Sequence, residues 1–169
     1  MNTFLQCLAV VGMIETVVLI GAIVWGIVLW VRGIVPALLR LGNGLAKRKI
    51  AVFAKGDNVG SLRDLLLDSK LFRKKNIIEI ANAGDVGKAE EATVYLVHWH
   101  DWSANIADVL TQKPDGCALV VYAPYDLGRI PDDQMKNLDG KRHTAVTNFR
   151  GRLLNDIVTS MITTGYESR

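Results

Sequence analysis

Side chains that could carry chemistry cluster near the middle of the chain, in the sequence His98-Trp99-His100-Asp101-Trp102. They follow an apolar, β-branched run at residues 93–97 that has the composition of a buried strand. On a continued strand, His98 and His100 would share one face, as in some metal sites. No cysteine or third histidine lies at ligand spacing, so we expect no metal. A loop in which Asp101 orients a histidine, or a packed structural cluster, is the preferred interpretation.

The two tryptophans of this motif have two possible roles. Trp99 and Trp102 could stack on a ligand base, or they could pack beneath a sheet, which is the commoner fate of a large aromatic side chain. We keep Trp99 among the candidate ligand-binding residues, and both roles stay open at this point.

A second motif, Asn148-Phe149-Arg150-Gly151-Arg152, joins the last predicted strand to the last predicted helix. Backbone N–H groups and the helix dipole favour an anion at such a position. Two arginines add bidentate recognition of phosphate or carboxylate. The competing interpretation is a solvated helix start, with Arg152 paired to Asp156 one turn later.

The elements that must position these motifs follow from residue 50 onward, where short apolar runs alternate with helical periodicity. Strands are predicted at residues 50–54, 77–80, 93–97, 117–122 and 144–147. Ser61 is predicted to cap a helix with Leu71 on its inner face, and Ser103 a helix that ends near Gln112. Further helices are predicted at residues 87–92, from Pro131 and at 150–163.

This alternation predicts an α/β domain: a five-stranded, mainly parallel, flavodoxin-like sheet in the order 2-1-3-4-5, with helices on both faces. Ligands of such sheets bind beyond the carboxyl ends of the strands. The candidate ligand-binding residues lie there: Asp57, His98, Trp99, Asp101, Asn148, Arg150 and Arg152.

Residues 3–31 are apolar apart from one formal charge and exceed the roughly 20 residues that span a bilayer. A cleaved signal peptide would need a basic start and a shorter apolar core. We therefore predict an anchor at residues 1–32, a basic juxtamembrane segment at 33–49 and a domain at 50–169. Pro36 either bends the helix into a separate interfacial segment that contacts lipid or lies within one continuous helix.

The charges predict an orientation. The chain carries +3, and residues 1–49 hold five basic side chains against one acidic side chain. All five follow the apolar stretch, which predicts an N-terminus outside the plasma (inner) membrane and a cytoplasmic domain. Residues 50–169 carry a net −1, which does not favour nucleic-acid binding. The two cysteines suggest free thiols in a reducing compartment.

Glu15 is the costly residue of the anchor, because a charge at a helix centre is disfavoured by about 3 kcal/mol. It lies on a stripe of mostly small residues that includes Gly12, Ala22 and Gly26. Small residues let membrane helices approach closely. The stripe predicts a homo-oligomer with Glu15 inside the helix bundle. In one version of this prediction, Glu15 lines a pore. The alternative places Glu15 near the outer interface.

In size, element order and loop placement, residues 50–163 resemble the group of receiver and Toll/interleukin-receptor-like domains. Their chemistry does not transfer. The acidic pair, the Asp ending strand three and the Lys ending strand five of a phosphoacceptor are missing. The helix after strand three offers Asp108 but no Glu.

The resulting hypothesis is a membrane-anchored, oligomeric signalling or effector protein. Its domain would bind a small anionic ligand, such as a nucleotide, or a protein partner, and would act on a transmembrane bundle; bacterial defence effectors combine such parts. The alternatives are a self-assembling membrane scaffold that recruits a partner, and a NAD- or nucleotide-hydrolysing enzyme using Asp57, His98, Asp101 or Asp108. We expect no cofactor and no catalytic residue.

Overall fold

The computed structural model describes the backbone of residues 2–167 and the side chains of residues 12–13, 15–35 and 48–164. The chain divides into two compact units, Met1–Gly42 and Asn43–Arg169. The described residues form six α-helices and one five-stranded sheet. The predictions about Cys7 and about the side chains of residues 36–47 fall outside the described side chains.

Helix α1 runs from Asn2 to Lys47. Its helical backbone is continuous through Pro36, so the alternative of one unbroken helix is the one observed. Within it, Glu15–Val35 is a stretch of 21 residues that is long and apolar enough to cross a membrane, and none of it is buried. The Thr16 hydroxyl donates a hydrogen bond of 2.8 Å to the carbonyl oxygen of Gly12.

The sheet has the order β2-β1-β3-β4-β5, and every neighbouring pair is parallel. This confirms the predicted α/β class and strand order. The strands are β1 (Ile50–Phe53), β2 (Ile77–Ile80), β3 (Val94–His98), β4 (Ala118–Tyr122) and β5 (Thr144–Thr147). All first residues therefore lie at one edge, the amino edge, and all last residues at the opposite carboxyl edge.

Helices cover both faces of the sheet. One face packs against α2 (Asp57–Asp68) and α6 (Arg150–Glu167) through leucines such as Leu62, Leu66 and Leu153. The other packs against a 3-10 segment (Ala83–Glu91), α3 (Trp99–Trp102), α4 (Ile106–Gln112) and α5 (Asp132–Asp139). Strands β1, β3 and β4 are buried at every position, as expected for central strands covered on both faces.

Four predicted details are wrong. The helix predicted at residues 87–92 is a 3-10 segment, Ala83–Glu91. Helix α2 begins at Asp57 rather than near Ser61, because Gly56 takes a positive φ of 55° and turns the chain directly into the helix. Leu71 lies beyond the end of α2 and is exposed. The segment after β3 is one turn of α3, a 3-10 turn (Ser103–Asn105) and then α4, rather than one helix capped by Ser103.

Cys117 lies just before β4 as a buried free thiol. Its burial raises the pKa to about 12, despite the nearby Lys113, which acts in the opposite direction. A thiol this protonated is a poor nucleophile, so Cys117 acts as an apolar core residue.

Candidate functional site

The candidate site lies at the carboxyl edge, where β3 ends at His98 beside Tyr122 of β4. The chain then makes the single helical turn α3, which returns Asp101 to His98 three residues on. Trp99 and Trp102 are the apolar residues of this turn and are buried in the core. Local sequence therefore fixes the turn, because its apolar residues point inward and hold Asp101 at the edge of the sheet.

Asp101 joins the ends of two strands. One carboxylate oxygen accepts a hydrogen bond of 2.9 Å from the backbone N–H of Lys55, and the Nδ2 group of Asn58 donates to it at 3.0 Å. Both donors follow β1, whereas Asp101 follows β3. β1 and β3 are the neighbours at which the order of successive strands reverses, and sheets of this topology bind ligands at that point. In this chain the Asp101 carboxylate lies at this position and connects the residues that follow β1 with those that follow β3.

His98 is the buried member of the cluster, with 2% of its surface exposed. Its Nδ1 atom lies 3.0 Å from Asp101 Oδ2, but the ring N–H is poorly aligned and forms no regular hydrogen bond. Desolvation lowers the pKa of His98, the Asp101 carboxylate opposes this, and His100 lowers the pKa further. The imidazole is therefore held neutral at pH 7, and its burial leaves little surface for a substrate.

Trp102, the last residue of α3, follows Asp101 and is completely buried. Its ring packs edge-on against Phe53 with centroids 5.2 Å apart, and the Lys55 ammonium lies 5.6 Å from its centroid. Trp99 is also buried. Of the two roles considered for the tryptophans, core packing is therefore the one that their positions support.

The arginine motif stands at the same edge, where β5 ends and α6 begins at Arg150. The Arg150 guanidinium donates a 2.9 Å hydrogen bond to the Ser61 carbonyl oxygen and so links α6 to α2. Arg152 lies 4.0 Å from Asp156, at the limit of an ion pair, and 71% of its side chain is exposed. Asn148 is also exposed. Both arginines thus have protein contacts, but Arg152 remains accessible.

The remaining candidates are not brought together. Asp57 is exposed in the first turn of α2, whereas its neighbour Asn58 contacts Asp101. Asp108 is exposed on α4. Of the three aspartates and one histidine in the enzyme hypothesis, only His98 and Asp101 are in contact. Across the described residues, no group of three or more His, Cys, Asp or Glu side chains is placed to hold a metal ion.

Two sets of residues at this edge were not among the candidate ligand-binding residues predicted from the sequence. Lys55 and Asn58 contact Asp101 only because β1 and β3 are neighbours, which no local pattern reveals. The second set is apolar and exposed: Tyr125 (83%), Leu127 (48%) and Phe149 (61%). They occupy the loops that follow β4 and β5. The sequence could have indicated that these three residues are exposed, because each lies outside the apolar periodicity of the predicted strands and helices.

A shallow groove of about 400 Å³ lies elsewhere, between α4 and α5. It is lined by small and apolar side chains such as Ala104, Ala107 and Leu110, with Gln134 and Lys141 at its polar side. None of the sequence-predicted site residues lines it.

Gly12, Glu15, Ala22 and Gly26, the predicted oligomerisation residues, are all exposed on α1. At 100° per residue they fall within an arc of about 80°. A side chain added at Gly12 or Gly26 would meet no described atom within 4 Å.

Comparison with known proteins gives no family. No protein-family model matches the chain, and no curated protein matches it. Among solved structures, the chain is similar to part of the constitutive lysine decarboxylase of E. coli, with 17% identity and a TM-score of 0.45. The match covers 71% of this chain and 17% of the decarboxylase chain.

Proposed function

We propose that this chain is a single-pass membrane protein whose α/β domain binds a small anionic ligand or a protein partner at its carboxyl edge and passes that event to associated membrane helices. The membrane part is supported by the apolar stretch Glu15–Val35, none of which is buried within the chain. The binding part is supported by one observation above all. Exposed Phe149 and Arg152 stand at the edge where sheets of this topology bind ligands.

The orientation belongs to the same proposal. Basic residues follow the apolar stretch and precede β1, which favours a cytoplasmic domain and an external N-terminus. The likeness to receiver and Toll/interleukin-receptor-like domains supports a signalling role through element order alone. His98 and Asp101 serve in this proposal as a brace beneath the binding edge, since His98 is buried.

If a nucleotide binds at the arginines, it raises the melting temperature of residues 43–169. At a ligand concentration 100 times the Kd, binding adds about 2.7 kcal/mol to the free energy of unfolding. We expect Arg152→Ala to reduce this shift most, because Arg152 is the more accessible guanidinium. Arg150→Ala should reduce it as well. Thermal-shift titration with nucleoside mono-, di- and triphosphates measures the effect.

The matched control is Arg73→Ala, which removes the same charge at the opposite edge of the sheet and should leave the shift unchanged. Each variant is compared with its own ligand-free melting temperature, because loss of the Arg150–Ser61 hydrogen bond lowers stability by itself. A shift that survives both Arg150→Ala and Arg152→Ala would place any nucleotide elsewhere.

A second candidate function is a membrane-anchored scaffold that self-assembles and recruits a partner protein. The exposed Tyr125, Leu127 and Phe149 favour it, because aromatic residues are enriched at protein interfaces. A folded protein partner would bury these side chains, whereas a small anion needs the arginines more than the apolar residues.

Glu15→Leu is expected to change the oligomeric state of the full chain. If Glu15 hydrogen-bonds within a helix bundle, its loss removes about 1–2 kcal/mol per contact, which weakens association roughly tenfold. Glu15→Gln should retain part of the association because the amide still forms hydrogen bonds. Mass measurement of the detergent-solubilised or nanodisc-embedded protein reports the change.

Val17→Leu is the matched control, because Val17 is exposed on the opposite side of α1 and outside the stripe. It should assemble as the parent does. Equal masses for the parent and Glu15→Leu would assign α1 the role of a simple tether, and a monomeric parent would remove the bundle and the scaffold together.

A further inference from the structure

The chain enters the sheet at the amino edge. Helix α1 ends at Lys47 and β1 begins at Ile50, so only Arg48 and Lys49 separate them. Because all five strands are parallel, the segments that precede the other strands lie at this same edge. The apolar stretch Glu15–Val35 is therefore joined to this edge through residues 36–49.

Charge is distributed unequally between the two edges. The segments before the strands, at residues 48–49, 69–76, 90–93, 113–117 and 139–143, hold nine basic side chains and four acidic ones. The segments after the strands, at residues 54–58, 81–85, 99–105, 123–131 and 148–152, hold four of each. The domain is slightly acidic as a whole, so the amino edge is a local positive surface.

The strongest part of this surface is the basic turn, residues 69–76, between α2 and β2. Lys70 takes a left-handed φ of 57°, which ends α2 sharply. The Ser69 hydroxyl donates to the Leu66 carbonyl oxygen at 2.6 Å and accepts from the Leu71 N–H at 3.2 Å. Phe72 is buried, whereas the neighbouring Leu71 side chain is 43% exposed. The turn is thus a built structure that points an apolar side chain outward.

Basic residues follow this exposed leucine in the chain. Arg73, Lys74 and Lys75 are exposed, and within the described residues none of them forms an ion pair. Other cations of the amino edge are engaged: Lys49 pairs with Glu91, Arg48 donates to the Met161 carbonyl oxygen, and Lys113 to the Arg142 carbonyl oxygen. The basic turn therefore concentrates uncompensated positive charge next to an exposed apolar side chain.

We propose that the basic turn docks the domain on an anionic bilayer surface, with Leu71 entering the headgroup region and Arg73, Lys74 and Lys75 binding lipid phosphates. An apolar side chain among cations suits such an interface. Each basic residue near an anionic surface strengthens binding about fivefold. The connection to a membrane-length helix adds a high effective concentration of lipid, so weak contacts suffice. Acidic proteins and nucleic acids lack this connection.

The test uses the full chain with Leu71→Cys, carrying an environment-sensitive fluorophore, in a Cys7→Ser background; Cys117 is buried and stays unlabelled. Nanodiscs of phosphatidylcholine alone are compared with discs that include about 30% phosphatidylglycerol. We expect a blue shift in the anionic discs only. It should disappear in about 0.5 M NaCl, where the Debye length is about 4 Å.

The charge-reversal variant Arg73→Glu, Lys74→Glu, Lys75→Glu should abolish the shift. The matched control Lys88→Glu, Arg129→Glu, Lys136→Glu makes the same change of charge outside the basic turn and should retain the shift. Equal emission in both lipids, or equal loss in both variants, overturns the docking. A shift caused by a short DNA duplex and not by anionic lipid would reassign the turn to nucleic acid.

This inference rests on the membrane anchoring proposed above, and the two can fail separately. Release of the chain from discs by alkaline carbonate overturns the anchoring and the docking together. Stable insertion without the lipid-dependent shift overturns the docking alone.

Discussion

Trp102→Ala is expected to lower the free energy of unfolding of residues 43–169 by about 3–5 kcal/mol. Trp102 is fully buried, packs edge-on against Phe53, and lies beneath the Lys55 side chain. Removing the indole leaves a large cavity between β1 and α3 that rigid neighbouring strands cannot fill. Urea unfolding followed by circular dichroism measures the loss without relying on tryptophan emission.

Trp102→Phe is the matched control. It keeps an aromatic ring and removes the indole Nε1, which has no hydrogen-bond partner among the described residues. A buried N–H without a partner costs free energy, so its removal offsets part of the lost packing. We expect Trp102→Phe to cost less than about 1.5 kcal/mol. A loss below about 1 kcal/mol in Trp102→Ala would contradict a packing role.

The central strands were predictable from the sequence because burial on both faces makes them read as continuous apolar runs. Residues 93–97 and 117–122 are examples, and the observed β3 and β4 differ from them by no more than one residue at either end. The regular spacing of strands and helices also predicted the strand order. Both predictions depend on local composition, and the tertiary packing of the strands agrees with that composition.

Helix boundaries were less predictable where backbone geometry decided them. Gly56 starts α2 through its positive φ, and Lys70 ends it through another. Lysine is uncommon in that conformation, so the pattern of leucines extended the predicted helix to Leu71. The consequence for the molecule is large, because a residue assigned to the core stands exposed within a basic turn.

The candidate site was predictable in part for the same reason. The contact of His98 with Asp101 is local, since three residues on one helical turn bring the two side chains together. The hydrogen bonds from Asn58 and the Lys55 N–H depend on the pairing of β1 with β3 and on side-chain rotamers. Sequence periodicity carries no information about either.

Asp101→Ala is expected to lower the free energy of unfolding of residues 43–169 by about 2–4 kcal/mol at pH 7. The change removes the acceptor of the Lys55 N–H and of Asn58 Nδ2, and the carboxylate beside His98 Nδ1. The loss should exceed that of Asp108→Ala, an exposed aspartate on α4, by several-fold. Near-equal losses would show that Asp101 does not join the two strand ends.

The pH dependence of that loss identifies its partner. The folded pKa of His98 lies below its unfolded value of about 6.5. The native state thus binds fewer protons, and the stability that His98 contributes is present above pH 6.5 and lost as pH falls toward the folded pKa. Asp101 opposes the depression of this pKa. Removal of Asp101 therefore lowers the pKa of His98 further. The loss of unfolding free energy caused by Asp101→Ala should increase as the pH falls from 7 to 5.5.

In a His98→Gln background this growth should vanish, because no imidazole remains to titrate, while the loss of the two strand-end hydrogen bonds persists at every pH. Unfolding curves for the four combinations of His98→Gln and Asp101→Ala separate the two contributions. A pH-dependent cost that survives in His98→Gln would mean that another group titrates with Asp101. A cost independent of pH in the parent background would mean that the carboxylate does not act on the His98 ring.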